Sequence, residues 1–321
     1  MKRREFIAGL GGTVAWPLAG RAQQPKMPVI GFLAVGPNGP KRWGAPFYQG
    51  LKEAGYVEGQ NVAIEYRGGP ANRNRLSELA KELVQQRVAV ILTSNDGAAL
   101  GAKRATSTIP IVFFSIGSDP ITLGLVASLS QPGGNVTGAT FDSPRTVAKS
   151  LDLLCQLVPT AMTVAHLVRR RTLLEFEELN SALAATASAL GRQLIVVECP
   201  RDDELGHAFA TAVERGAGAV IVGSFFNATV VPFAAQYRIP ATYRGRGFVS
   251  QGGLMSYGQD FADQIHLATG LVGQILDGAL PANLPVRMST KFNFVINLRT
   301  AKELGLDVPP HLLVLADEVI E

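Results

Sequence analysis

From Val29 onward, short apolar runs alternate with segments whose apolar residues recur at helical spacing. Val29–Ala34 predicts a buried strand, Phe47–Ala54 part of an amphipathic helix ended by Gly55, and Asn61–Tyr66 a strand with two unlike faces. In Arg75–Gln86, Leu76, Leu79, Ala80 and Leu83 share one side, the stripe of a helix packed on a core. Val88–Thr93, Ile111–Phe114 and Val136–Thr140 read as strands, with helices predicted at Ala98–Thr106 and Leu123–Leu129 and a Gln131-Pro-Gly-Gly-Asn turn before the last strand. Strands alternating with helices over short connections predict βαβ units, and so a parallel sheet with right-handed crossovers.

The rhythm restarts after Pro144. Helices are expected at Val147–Leu157, Glu175–Leu190, Glu204–Arg215 and Thr229–Gln236, and strands at Thr163–Val168, Leu194–Glu198, Ala219–Val222 and Ala241–Tyr243. A less regular tail adds a strand within Gly252–Gly258, a helix at Asp260–Leu276, a strand at Phe292–Asn297 and a short helix at Thr300–Leu304. The fold class expected is α/β: two Rossmann-like open parallel-sheet lobes. The leftover elements suggest a chain that returns between the lobes and builds a multi-strand hinge. The first lobe is expected at 29–143 with about 256–283, and the second at 144–255 with about 284–321.

The N-terminus breaks this pattern. Lys2, Arg3 and Arg4 precede Phe6-Ile7 and a modest apolar run to Ala19, diluted by Gly9, Gly11 and Gly12 and followed by small residues at 19–22. That order is a secretory signal over residues 1–22, and its Arg-Arg-x-Phe-Ile start resembles a twin-arginine signal. The run is too short and glycine-rich for a confident membrane span, so no stable membrane insertion is expected after processing. The chain carries a formal charge of +4, but residues 1–22 hold Lys2, Arg3, Arg4 and Arg21 against Glu5, and their removal leaves +1. No basic stripe remains to follow a phosphate backbone, so nucleic acid is not an expected partner. The two cysteines, Cys155 and Cys199, suit either one bridge or two buried thiols.

In open parallel sheets ligands lie beyond the C-terminal ends of the strands, so the loops there carry the candidate residues. They are Asn38 after the first strand, Ser94, Asn95 and Gly97 after the third, and Ser115 and Asp119 after the fourth. Phe141 and Asp142 stand at the handover between lobes, and Arg169, Ser224, Asn227 and Tyr243 end strands of the second lobe. Several have an equally simple structural role. Ser94, Asn95 or Asp96 could cap a helix, Asp119-Pro120 reads as a cap with a first-turn proline, and Phe141 could belong to the core. In the run Arg169-Arg170-Arg171, a solvated charge patch competes with an anion clamp. Histidines at 166, 207, 266 and 311 have no metal spacing, and nucleophile-elbow, phosphate-loop and zinc-protease motifs are missing. Neither an enzyme nor a cofactor is expected.

Six runs, in order along the chain, carry a resemblance. They are Thr108-Ile-Pro-Ile-Val-Phe113, Gly124-Leu-Val-Ala-Ser-Leu129, Pro132-Gly-Gly-Asn-Val-Thr-Gly138, Gly252-Gly-Leu-Met-Ser-Tyr-Gly258, Leu284-Pro-Val286 and Ala316-Asp-Glu-Val-Ile-Glu321. Together they resemble the ABC-transporter substrate-binding protein family, in particular its tryptophan- and aromatic-amino-acid-binding members. The resemblance implies a type 1 periplasmic-binding fold whose lobes close over a small molecule. It also implies a monomeric periplasmic receptor that hands an amino acid, or an aromatic or other carboxylate, to permease and ATPase subunits. A periplasmic sensor feeding a membrane receptor is the alternative. Two second-lobe loops depart from the family pattern: Arg169-Arg170-Arg171 replaces a polar Asn-type loop, and Gly223-Ser-Phe-Phe-Asn227 an Asp-Pro loop.

Overall fold

The computed structural model describes residues 27–36, 39–69, 72–169, 173–224 and 226–321. The candidate signal segment, Asn38, Arg170 and Arg171 lie outside them.

In the first half, strands β1 (Val29–Val35), β2 (Ala63–Gly69), β3 (Val90–Ser94), β4 (Ile111–Phe114) and β5 (Val136–Thr140) alternate with helices α1 (Gly39–Glu53), α2 (Arg73–Gln85) and α3 (Asp96–Ala105). The second half continues with α4 (Ser143–Leu157), β6 (Thr163–Val168), α5 (Leu173–Ala189), β7 (Gln193–Glu198), α6 (Leu205–Glu214), β8 (Ala219–Val222), α7 (Val231–Gln236), β9 (Ala241–Tyr243) and α8 (Arg246–Val249). The tail holds β10 (Met255–Gln259), α9 (Phe261–Leu276), β11 (Arg287–Met288), β12 (Phe292–Asn297), α10 (Leu298–Glu303), α11 (Pro310–Leu315) and β13 (Glu318–Ile320).

Two sheets result. The first has strand order β11-β5-β4-β3-β1-β2, and the second β13-β12-β10-β9-β8-β6-β7. Of the pairings among described strands only β10 with β12 is antiparallel. Strands such as β3 and β4 are buried at every position, as expected where helices cover both faces. On one face of the first sheet, Leu76 and Leu83 of α2 meet Ile91 and Phe113. On the other, Phe47 of α1 and Ile265 and Leu271 of α9 meet Phe32, Leu92 and Phe114. In the second sheet, Leu151, Leu154 and Leu183 of α4 and α5 cover Val164 and Ile221, while Phe209 and Val231 of α6 and α7 cover Leu167 and Val220.

The chain crosses between the sheets three times: from β5 to α4, from β10 to α9, and from β11 to β12. The multi-strand hinge expected from the tail is therefore present. The return excursion spans residues 260 to 289, beside the 256–283 read from the pattern, which cannot say which sheet a strand joins. Leu123–Leu129 is not a helix. Gly124 takes φ 67, and the segment runs as successive turns. Leu125 and Val126 are still buried, and Lys103 holds the Leu125 carbonyl at 3.0 Å. Apolar spacing suited to a helix is here met by irregular chain packed beneath α3. The strands β11 and β13 and the short helices α8 and α11 carry too few residues to show a period.

Cys155 and Cys199 are free and buried in clusters on opposite faces of the second sheet, so no bridge joins them.

Candidate functional site

The C-terminal ends of β3, β4, β6, β8 and β9 converge with the β5–α4 crossing. In the first lobe the backbone there is bent in an unusual way. Asn95 has φ 91 and Ser115 φ 54, conformations that residues other than glycine seldom adopt. Each is held by a specific bond. Asn95 Oδ1 accepts from the Ala98 amide at 3.0 Å, and the Ser115 amide donates to Gln264 Oε1 at 2.9 Å from fully buried Gln264 on α9.

Between these two turns sits Asp96, a largely buried carboxylate. It accepts from the Gly117 amide at 2.8 Å and from Ser118 Oγ at 2.9 Å. Burial pushes its pKa above the ordinary value, and those two donors and the Arg244 guanidinium of the second lobe pull the other way. Arg244, one residue past β9, donates to Ser224 Oγ, and its guanidinium lies 6.0 Å from the Phe141 ring. A second acid, Glu178 on α5, reaches the Asp119 main chain of the other lobe. Its pKa is also raised, by burial first and then by the charges of Asp119 and Asp96.

Behind Arg244 the cleft narrows into a small pocket whose enclosed space is about 20 Å3. Its walls come from Phe141, the first turns of α4, Leu179, and the α4-facing sides of β6, β8 and β9. The hydroxyls of Ser150 and Thr242 pair at 3.0 Å in its floor. Buried Ser143 Oγ has no partner.

The residues expected from the sequence divide into two groups. Ser94, Asn95, Gly97 and Ser115 lie in the turns after β3 and β4 that surround Asp96, and Phe141 and Ser224 border the pocket and reach Arg244. Others are occupied locally. Asp142 Oδ1 caps α4 through the Arg145 amide at 2.9 Å. Asp119 Oδ2 accepts from the Thr122 amide at 2.9 Å and its hydroxyl at 2.7 Å. Asn227 Oδ1 accepts from the Thr229 amide at 3.0 Å and from its hydroxyl. Arg169 lies over the Phe226 ring at 4.5 Å and pairs with Asp202 at 2.7 Å, so it serves its own lobe. Tyr243 borders the pocket, but alternation along β9 places Thr242 beneath α4 and the Tyr243 ring against Phe248, with ring centroids 5.3 Å apart, and its buried hydroxyl has no partner. Asp96, Glu178, Arg244 and the pocket residue His166 were not singled out. Asp96 read as one more possible cap, and Arg244 lay one position beyond the strand end. Among the described residues no cluster of His, Cys, Asp and Glu could hold a metal ion.

A family model described as ABC transporter substrate binding protein matches residues 41–320. The chain belongs to that family. A tyrosine-binding protein of Clostridioides difficile is 25% identical over 271 residues, which cover 81% of this chain and 75% of the relative. The structure superposes on a conserved domain protein from Vibrio cholerae with a TM-score of 0.82 at 24% identity, covering 92% of this chain and all of the other. A Streptococcus pneumoniae ABC domain solved with L-Trp gives 0.80 at 25% identity, covering 91% of this chain and 99% of the other. The fold is the type 1 periplasmic-binding fold. The substrate-binding protein of an ABC transporter captures a small molecule, and its family is one of ligand binders and not of enzymes. No helix among the described residues is long and apolar enough to cross a membrane.

Proposed function

We propose that this substrate-binding protein captures an amino acid, or a closely related aromatic carboxylate, between lobes that close about the three-crossing hinge. The observation that carries this reading is the opposed pair of charges across the cleft, Asp96 on the first lobe and Arg244 on the second. A zwitterion fits such a pair. Its carboxylate meets the Arg244 guanidinium in a charge-assisted bond, and its ammonium meets Asp96 with Glu178 beside it. The apolar lining from Phe141, Leu179 and Tyr257 suits an aromatic side chain. The names of the two relatives, a tyrosine binder and a tryptophan complex, point the same way.

The protein works as a monomer in the periplasm, exported by the twin-arginine route on residues 1–22, and delivers its ligand to an ABC permease driven by its ATPase. The test is calorimetric titration of the purified protein with L-tyrosine, L-tryptophan, L-phenylalanine and benzoate. Saturable one-to-one binding of at least one aromatic amino acid is expected, and no binding by any of the four would contradict the reading.

A further inference from the structure

His166 lies within β6 with its ring on the α4 and α5 face, 3% exposed, bordering the second-lobe pocket. Its Nδ1 is 2.8 Å from Asn180 Oδ1. Asn180 cannot flip without loss, because its Nδ2 donates to the Phe176 carbonyl at 2.9 Å. Oδ1 therefore faces the imidazole, and Nδ1 carries the ring proton. Burial keeps the ring neutral by pulling its pKa down to about 4. Nε2 is left with a bare lone pair and no partner among the described residues.

The neighbouring strand leaves that lone pair uncovered. Residue 223 is glycine, and a Cβ there would stand 3.0 Å from His166 Nε2 and 2.8 Å from the Leu167 carbonyl. Any larger residue would crowd the nitrogen. The unpartnered Ser143 hydroxyl borders the same pocket. Ser150 and Thr242 are already paired with each other, while Arg244 and Ser224 stand at the pocket's mouth and Phe141, Leu179 and Tyr257 add ring and aliphatic surface. A ring whose edge reaches Nε2 and carries no donor strips water from that nitrogen and returns nothing, whereas a ring with an N–H or O–H at its edge replaces the lost bond.

We propose that His166 is a specificity-determining residue of the cleft: its Nε2 accepts a hydrogen bond from the edge of the ligand's ring, selecting phenol- or indole-bearing ligands over hydrocarbon ones. This rests on the cleft being the amino-acid site argued above. The experiment uses matched pairs in calorimetric titration, L-tyrosine with L-phenylalanine and L-tryptophan with 1-methyl-L-tryptophan. The protein should favour the donor-bearing member of each pair by about tenfold or more, and His166→Phe should bring the ratio near one. Equal affinity within each pair, or a ratio that survives His166→Phe, would overturn the assignment while leaving the amino-acid reading intact. Failure of all four to bind would overturn that reading, and the assignment with it. A second measurement does not depend on the variant folding. In 15N spectra of the histidine-labelled protein, the His166 Nε2 resonance should keep a hydrogen-bonded position with L-tyrosine and move downfield, toward that of a free pyridine-type nitrogen, with L-phenylalanine. The same Nε2 position with both ligands bound would contradict the proposal.

Discussion

The two lobes share a core strand order, β5-β4-β3-β1-β2 in one and β10-β9-β8-β6-β7 in the other, but prepare their sides of the cleft in different ways. The first lobe holds its carboxylate with backbone. Two turns at positive φ, Asn95 and Ser115, flank Asp96, and its donors come from the single stretch Gly117-Ser118. The second lobe works with side chains on separate strands: Arg244 past β9, Ser224 past β8 and His166 within β6. Backbone-built charge is rigid and tolerates little change. A wall assembled from single side chains can be altered one residue at a time without disturbing the fold. It follows that the first lobe should set how a common ammonium is held, and the second which ligand enters.

The largest expected effect is at the second lobe's charge. Arg244→Ala should weaken binding of an aromatic amino acid by about 100-fold, the loss expected when a charge-assisted bond in a closed site disappears, with little change in melting temperature. Calorimetry and a thermal melt of the same sample check both halves. On the first lobe, Asp96→Asn should cost about tenfold for an amino acid and much less for its desamino analogue, since only the former presents an ammonium.

The same substitution separates the lobes in stability. Asp96 has its folded pKa raised by burial, so its contribution to stability is present below the ordinary carboxylate pKa and is lost as pH rises through the raised value. The wild type should therefore lose stability relative to Asp96→Asn as pH rises from 4 to 7, and the two should converge at low pH. Denaturant melts across that range read the difference, and a constant gap would contradict it.

Smaller effects mark the residues that belong to scaffolding. Asp142→Ala removes the α4 cap and should cost about 1 kcal/mol in stability. Arg169→Ala removes a paired arginine beside Phe226 and should cost about 1 kcal/mol or less. In both, ligand affinity should stay within about twofold; a large loss at Arg169 would restore the anion clamp suggested by its run of arginines.

The sequence pattern made the sheets legible because each strand is a short apolar run and most helices carry a one-sided stripe. Ile111–Phe114, Val136–Thr140 and Ala219–Val222 have the bounds read from the pattern. It failed at Leu123–Leu129, where Gly124 turns the chain while Leu125 and Val126 stay buried. The cleft was legible in place more than in content. Strand ends led to Ser94, Asn95, Ser115, Phe141 and Ser224, but a strand-end rule does not select the α4-facing side. Counting alternation from Ile221 and Thr242 would have drawn attention to His166. Glu178 lies mid-helix on α5, and only the approach of the two lobes brings it to Asp119.

The central claim is that the lobes close on an aromatic amino acid held between Asp96 and Arg244. Small-angle scattering during a titration with L-tyrosine tests it most directly. The radius of gyration should fall and saturate with one equivalent of ligand in the wild type, and should not fall in Arg244→Ala at the same concentrations. A wild-type radius that stays constant through saturation would contradict closure about the ligand.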